Sequence, residues 1–377
     1  MSNNTTAAIT RRNFGRILGA GLASLLVSGC EGKRLRFSPA RIEVINPPIE
    51  YPHSLGPGLD LIGDMEGAHR QDASVLSHDG LIHVVGGSED WLWTWPTAKY
   101  STFDPKTLEW DKRPPMPCEL SHMAALVFDD KIMTVGGKRD DKNDFRSGPI
   151  VDNVFCYNSG NESWDIQKRF PSTIASAKAF VVDEVPHVIG GYTDFHHKKG
   201  TWWGTTYKPN LDIFMYDGST GDWNVRTRLP KEVSWMTTVA KDSRIYVFGS
   251  RYNGQTENME SLAQIYDTGK DTWTEKLTPQ HFDEMHAFVE NDNLCLWVCE
   301  ETMASSSAKS TRGHALFSSI SDGKWDRENL SEVCYGVAVY TEKVIHNGDM
   351  YLLGPVHPGV GYDGRVFRLD LPEVSAT

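Results

Sequence analysis

The sequence predicts an all-β protein, a ring of six small four-stranded antiparallel sheets closed by a strand from the N-terminal side. Three observations carry this expectation. Short apolar runs ending in glycine recur as LIHVVGG at 81–87, KIMTVGG at 131–137, PHVIGG at 186–191 and RIYVFGS at 244–250. Downstream of each, an aromatic residue precedes a tryptophan by seven positions: Phe103 and Trp110, Tyr157 and Trp164, Tyr216 and Trp223, Tyr266 and Trp273. The steps between successive tryptophans, through Trp325, are 54, 59, 50 and 52 residues, the length of one β-propeller blade.

The first element in chain order is an address. Residues 10–16 read TRRNFGR and the apolar stretch ILGAGLASLLV follows at 17–27, the layout of an export signal. The Arg11–Arg12 pair with Phe14 resembles a twin-arginine signal; a general secretory signal carrying two arginines is the alternative. Val27-Ser28-Gly29-Cys30 resembles a lipobox, which implies lipidation of Cys30 at the start of the mature chain; a plain cleavage nearby is the alternative. Glu31 in place of Asp favours the outer membrane. Residues 1–29 are therefore expected to be a signal peptide, 30–40 a polar tether and 41–377 the propeller. The expected location is the periplasmic side of the outer membrane or the cell surface, held through the lipid alone. No apolar run after residue 30 reaches bilayer-spanning length.

The repeats come next. The segments between aromatic and tryptophan, DPKTLE, NSGNES, DGSTGD and DTGKDT, are rich in turn formers. A fifth unit is degenerate: LCLWVCE at 294–300 lacks the glycine pair, and Asp322-Gly323 marks a tight hairpin before Trp325. A sixth has MYLLGP at 350–355 and RVFRLDL at 365–371 and ends one strand short. At the other end, RIEVINPP at 41–48 echoes WDKRPP at 110–115. Arg41–Asn46 is therefore expected to supply the missing outermost strand and remove the open edges of the array. Trp110, Trp164, Trp223, Trp273 and Trp325 are expected to pack between blades, each burying on the order of 200 Å².

The glycine pair, aromatic and tryptophan at these offsets resemble kelch repeats over about residues 68–372, most clearly in the first four units. The resemblance implies a six-bladed kelch-type β-propeller of the galactose oxidase/kelch superfamily, similar in architecture to periplasmic N-acetylneuraminate epimerases. Exported kelch propellers include sugar-processing proteins, so it also implies a sugar ligand. No residue can be matched one by one to the oxidase's copper ligands or its crosslinked Tyr–Cys pair, and no spacing specifies a cofactor or a metal.

In a four-stranded blade the connection from the second to the third strand lies on the face opposite the tight turns. Here those connections are long: 88–99, 138–152, 192–211, 250–261, 300–313 and 355–364. Long connections gathered on one face are expected to form the binding surface. They carry Trp91, Trp93 and Trp95 in the first unit and His196, His197, Trp202, Trp203 and Tyr207 in the third. Aromatic faces beside polar groups suit sugar rings; they also suit a protein partner, or loop packing on loop. A second constellation comes from counting 14 residues back from the first glycine of each pair, which gives Asp72, His122 and Ser176. The same count from Gly249 gives Trp235, and the fifth unit aligns at Glu284. With Arg70, His286 and Tyr335 nearby, these residues are expected to ring the channel mouth. Such a ring offers acid–base chemistry or metal binding; the alternative is a solvated, mutually paired polar ring.

The formal charge is −12, and three arginines with no acid fall in the first 29 residues, so the body is more acidic still. That is a poor match to a phosphate backbone, and nucleic-acid binding is not expected. The expected function is binding, with processing, of a carbohydrate, an acidic sugar among the candidates, by a monomer. The alternatives are a non-enzymatic scaffold for an envelope protein partner and a metal-dependent sugar oxidase or a polysaccharide lyase.

Overall fold

Two kinds of turn cut the chain into sheets. The first hairpin of a sheet closes on two consecutive left-handed residues, such as Asp79–Gly80 (φ 47° and 73°), Asp129–Asp130 (51° and 55°), Asp183–Glu184 (49° and 63°) and Asn347–Gly348 (51° and 89°). This geometry matches the twist of the flanking strands and favours Asp, Asn and Gly. The last hairpin closes on an Asx turn: Asp104 Oδ1 accepts from the Lys106 amide at 2.8 Å, Asn158 Oδ1 from Gly160 at 2.9 Å and Asp217 Oδ1 from Ser219 at 2.9 Å. The seven-residue aromatic–tryptophan spacing is the span of this hairpin. Phe103 and Trp110, Tyr157 and Trp164, Tyr216 and Trp223, and Tyr266 and Trp273 are directly opposed across the strands. Their ring centroids lie 5.0, 5.2, 5.1 and 5.1 Å apart.

The computed structural model describes residues 59–64, 70–89, 95–139, 148–197, 205–253, 258–277, 284–290, 293–300, 312–318, 326–331, 342–355 and 364–370. After β1 (Leu59–Asp64), the first sheet holds β2 (Ser74–His78), β3 (Leu81–Val85), β4 (Tyr100–Asp104) and β5 (Glu109–Arg113). The second holds β6 (Ala124–Phe128), β7 (Lys131–Val135), β8 (Val154–Asn158) and β9 (Ser163–Ile166). The third holds β10 (Lys178–Val182) and β11 (Val185–Ile189), then β14 (Asp212–Asp217) and β15 (Asp222–Arg228); a separate ribbon, β12 (Tyr192–His197) with β13 (Thr205–Pro209), is inserted between them. The fourth holds β16 (Ser234–Lys241), β17 (Arg244–Asn253), β18 (Asn258–Asp267) and β19 (Thr272–Leu277). The fifth holds β20 (Glu284–Glu290), β21 (Asn293–Glu300), β22 (Arg312–Ser318) and β23 (Asp326–Ser331). The last holds β24 (Glu342–His346), β25 (Asp349–Pro355) and β26 (Gly364–Asp370), with β1 as its fourth strand. Every pairing is antiparallel, and no helix occurs among the described residues. The architecture is an all-β propeller.

The strand that completes the last sheet differs from the expectation. It is Leu59–Asp64, with Leu59 opposite Leu369, Leu61 opposite Phe367 and Gly63 opposite Val366; Arg41–Asn46 lies outside the described residues. The connections explain the choice. Outermost strand to next innermost strand takes 10 residues from β5 to β6 and 11 from β9 to β10. From β1 to β2 it takes nine, whereas a strand ending at Asn46 would leave 27. Two of the long connections are regular in part: 192–211 contains the β12–β13 ribbon, and 250–261 contains the extended ends of β17 and β18.

Neighbouring sheets are joined by shared cores and by backbone. Phe103 and Ile82 of the first sheet pack with Tyr351, Leu353 and Val366 of the last. Phe170, Phe214 and Trp223 close the second against the third. Trp164 Nε1 donates to the Pro114 carbonyl at 2.9 Å, and Trp273 Nε1 to Thr227 Oγ1 at 3.3 Å, each reaching back to the preceding sheet. At the glycine pairs the sheets touch by main chain: Gly87 N donates to the Leu120 carbonyl at 2.9 Å and Gly137 N to Ile174 at 2.8 Å. A Cβ on Gly86 or Gly136 would overlap those same carbonyls, and both residues are left-handed, at φ 60° and 68°. The innermost strands therefore stand side by side in the order β24, β2, β6, β10, β16, β20.

Candidate functional site

The innermost strands enclose a cavity of about 800 Å³, lined by residues of β2, β6, β10, β16, β20 and β24. Register defines one level within it. Ser74 pairs with Val85, Ala124 with Val135, Lys178 with Ile189 and Thr237 with Phe248. His286 pairs with Trp297 and Glu342 with Leu353. Each of these partners directly precedes the conserved-spacing glycine, or Val298 in the fifth sheet, so the six residues share one position in six sheets. All six line the cavity, and Lys343 lines it one residue further along.

The ring is chemically graded. Ser74 and Thr237 spend their hydroxyls on neighbouring sheets: Ser74 Oγ donates to the Met123 carbonyl at 3.0 Å, and Thr237 Oγ1 accepts from the Ala287 amide at 3.0 Å. Ala124 leaves room. Lys178, His286 and Glu342 supply the ionisable groups. Burial pushes the His286 imidazole down to about 3, and the ammonium groups of Lys343 and then Lys178 push the same way, so the ring is neutral at ordinary pH. Lys343 Nζ also stands 5.5 Å from the centroid of the buried Trp297 ring. The site thus combines ammonium donors, a neutral imidazole and a carboxylate around a solvent-accessible space.

The ring read from the 14-residue count lies two residues earlier in the chain, just before the innermost strands begin. Asp72 and Ser176 line the cavity there, and Asp72, His122 and Ser176 share left-handed backbone at φ 52°, 57° and 52°. Their main chains form a belt: His122 N donates to the Asp72 carbonyl at 3.0 Å, and Ser176 N to the His122 carbonyl at 2.8 Å. Asp and His tolerate this conformation better than branched residues do. His122 Nε2 lies 3.5 Å from Asp72 Oδ2, and its Nδ1 lies 3.0 Å from Ser121 Oγ. Burial lowers the His122 pKa, Asp72 opposes that, and Lys138 adds to it.

The remaining expected residues are placed as follows. Arg70 is 1% exposed and donates from one guanidinium nitrogen to the Val84 and Lys99 carbonyls at 3.3 and 3.2 Å, tying β3 to the segment that enters β4. Trp95 is 63% exposed, and its carbonyl accepts from the Glu89 amide at 3.0 Å. His196 and His197 lie on β12 opposite Thr206 and Thr205, and Tyr207 lies on β13 opposite Phe195. Trp235 and Glu284 lie at the starts of β16 and β20, with side chains outside the described set. Cys30, Trp91, Trp93, Trp202, Trp203 and Tyr335 lie outside the described residues. Lys178, Glu342 and Lys343 escaped the sequence reading. Counting 12 residues back from Gly86, Gly136, Gly190, Gly249 and Gly354 finds Ser74, Ala124, Lys178, Thr237 and Glu342. Among the described residues, no cluster of three or more His, Cys, Asp or Glu is placed to hold a metal ion.

The repeat geometry and the cavity define a propeller with a central cavity, and comparison with known proteins agrees on the repeat. No family model matches the chain. Beta-scruin of Limulus polyphemus is 24% identical over 211 residues, 56% of this chain and 22% of that protein. Kelch-like protein 35 of Mus musculus is 26% identical over 160 residues, 42% of this chain and 23% of that protein. Alpha-scruin of Limulus polyphemus is 23% identical over 286 residues, 72% and 29% of the two chains. The chain thus spans less than a third of the length of each of these curated relatives. A solved structure described as the structure of YjhT superimposes with a TM-score of 0.59 at 14% identity, covering 80% of this chain and 95% of that one. The fold is a kelch-type β-propeller.

Proposed function

We propose that this protein is a closed six-bladed ring that binds a carbohydrate at the cavity between its innermost strands. The observation that carries the reading is the single register level of cavity-lining residues that includes Lys178, His286 and Glu342. A sugar presents several hydroxyls that both donate and accept, and this ring offers donors and acceptors in one plane. The test is calorimetric titration of the full chain with a panel of neutral and acidic monosaccharides and short oligosaccharides. Saturable binding that Glu342→Gln weakens supports the reading, and absence of binding across the panel overturns it.

The proposal extends to location: export through Arg11 and Arg12, and anchoring through a lipid on Cys30. Cys30→Ala should then move the protein from the membrane to the soluble fraction. A second reading, an interaction scaffold, is favoured by Ile166 and Val225, which are exposed on the outermost strands β9 and β15 of adjacent sheets. Pull-down with Ile166→Asp and Val225→Asp variants separates the two readings, because rim substitutions leave a cavity ligand in place.

A further inference from the structure

One pair of side chains in the first sheet departs from the repeat. The strand residue opposite the one that precedes the glycine pair is aliphatic in the second and third sheets, Val154 and Ile213, but is Tyr100 in the first. Three residues before the same glycine stand His83, Met133 and His187. In the first sheet the two departures meet, with Tyr100 Oη 2.7 Å from His83 Nδ1. The third sheet is an internal control: His187 turns its Nδ1 to the Val185 carbonyl at 2.9 Å, and Ile213 has no hydroxyl to give. Hydrogen bonding fixes the His83 tautomer. Its Nε2 lies 3.0 Å from the His78 carbonyl, an acceptor, so Nε2 carries the proton and Nδ1 the lone pair. Burial lowers the His83 pKa to about 4, so the ring is neutral at ordinary pH and the Tyr100 hydroxyl donates to Nδ1. Tyr100 itself is 2% exposed, and burial, followed by Tyr157, raises its pKa. Water does not take this proton, but a base is already in contact with it. The aromatic chain continues from there. Tyr100 meets Tyr157 edge-on at 4.7 Å and Trp164 at 5.6 Å, and Tyr157 meets Trp164 at 5.2 Å, all across the seam to the second sheet. Trp164 is half-buried on the outermost strand β9, while Met123, in the same buried cluster as Tyr100, lines the cavity.

We propose that Tyr100 and His83 form a redox-active pair, connected to the surface through Tyr157 and Trp164. A phenol gives up an electron far more easily when its proton leaves in the same step. Here Tyr100 passes one electron by way of Trp164 to an outer-sphere one-electron oxidant, such as a high-valent metal complex. The Tyr100 O–H bond breaks and its proton moves to His83 Nδ1. The products are the reduced oxidant, a neutral tyrosyl radical and an imidazolium whose two N–H groups face the Tyr100 oxygen and the His78 carbonyl. Return of one electron sends the proton back and restores the pair. The first seam thereby draws an oxidising equivalent away from the thioether of Met123 on the cavity wall, whether or not the cavity holds a ligand.

The test is flash photolysis of the full chain at neutral pH with tris(bipyridine)ruthenium(II) and a cobalt(III) ammine as electron acceptor, which together generate ruthenium(III). Electron paramagnetic resonance reads the radical. The expected result is a neutral tyrosyl signal that Tyr100→Phe removes and that forms about tenfold more slowly in His83→Gln, where the positioned base is gone. Trp164→Phe should slow its formation as well. Circular dichroism confirms that each variant is folded. Where one is not, high-field resonance of the unaltered chain decides, because a hydrogen bond from the imidazolium lowers the largest g value of a tyrosyl radical. A signal that survives Tyr100→Phe, an unchanged rate in His83→Gln, a tyrosyl without that g shift, or no tyrosyl at all overturns the pair. An unchanged rate in Trp164→Phe overturns the route through the second sheet.

Discussion

The first three sheets and the last three solve the same packing problem in different ways. In the first three, the inner strands are five residues long, the glycine pairs are left-handed, and backbone meets backbone between the first and second sheets and between the second and third. Their contribution to the cavity wall includes a run of small residues, Ala73, Ser74, Ala124, Ala125 and Ala177, beside larger ones such as Leu76, Met123 and Tyr192. The change begins at the third junction, where a Cβ on Gly190 would meet the Met236 thioether end instead of a carbonyl. Beyond it a single glycine or none remains, inner strands run to eight and seven residues in β16 and β20, and Met236, Met285, His286 and Lys343 reach the cavity. A repeat held together by main chain has no freedom to vary. A repeat held together by side chains does, and Met236, Thr237, Met285, His286, Glu342 and Lys343 all reach the cavity there, while Asp72 and Lys178 are the charged groups that the first half supplies.

The largest expected effect breaks this contrast directly. Gly136→Ala places a methyl against the Ile174 carbonyl at a left-handed residue and should cost about 3–4 kcal/mol. Gly190→Ala carries the same backbone strain but meets only the flexible end of Met236, and should cost about 1–2 kcal/mol. Urea midpoints at unchanged slope measure both, and equal losses would erase the distinction between the two halves.

Histidines sharpen it next. Burial lowers the His83 pKa from 6.5 to about 4, its largest cause, so the unfolded chain takes up a proton before the folded one does. Stability from His83 is therefore complete above pH 6.5 and is lost as the pH falls to about 4, a span worth about 3 kcal/mol. His83→Gln should flatten the dependence of the urea midpoint on pH across that window. His286 differs because lysines contribute to its low pKa, so Lys343→Gln should raise the His286 pKa in an NMR titration and leave His83 where it is. Equal movement of both, or of neither, would contradict the field drawn for the cavity.

The smallest effect compares two hydroxyls at the same level. Thr237→Val strands the buried Ala287 amide and should cost about 2 kcal/mol. Ser74→Ala strands only the Met123 carbonyl, which water or a second donor satisfies more readily, and should cost about 1 kcal/mol. Thermal unfolding of both variants ranks them, and the reverse order would count against the accounting.

Much of the fold was legible because its signals are local. The aromatic and tryptophan that flank an Asx turn must face each other once the hairpin closes, so a spacing of seven reports a pairing. Glycine pairs report a backbone approach that excludes a Cβ. The closing strand was misplaced because β1 has one strand partner among the described residues and a short, weakly patterned sequence, LDLIGD, while the proline pair at 47–48 drew attention upstream. The cavity ring was missed by two residues for a related reason. Ionisable residues at the belt, Asp72 and His122, stand out in the sequence, whereas Ser74, Ala124 and Thr237 look like ordinary strand residues until register aligns them with Lys178, His286 and Glu342.

The pairing of β1 with β26 sets a condition on how the molecule is made. Among the described strands, Leu59–Asp64 leaves the ribosome first and its partner Gly364–Asp370 last. Five sheets draw their four strands from one stretch of chain each, whereas the last needs Gly364–Asp370 to join β1 to β25. Any truncation that removes Gly364–Asp370 therefore exposes an edge on β25 and leaves β1 without its strand partner.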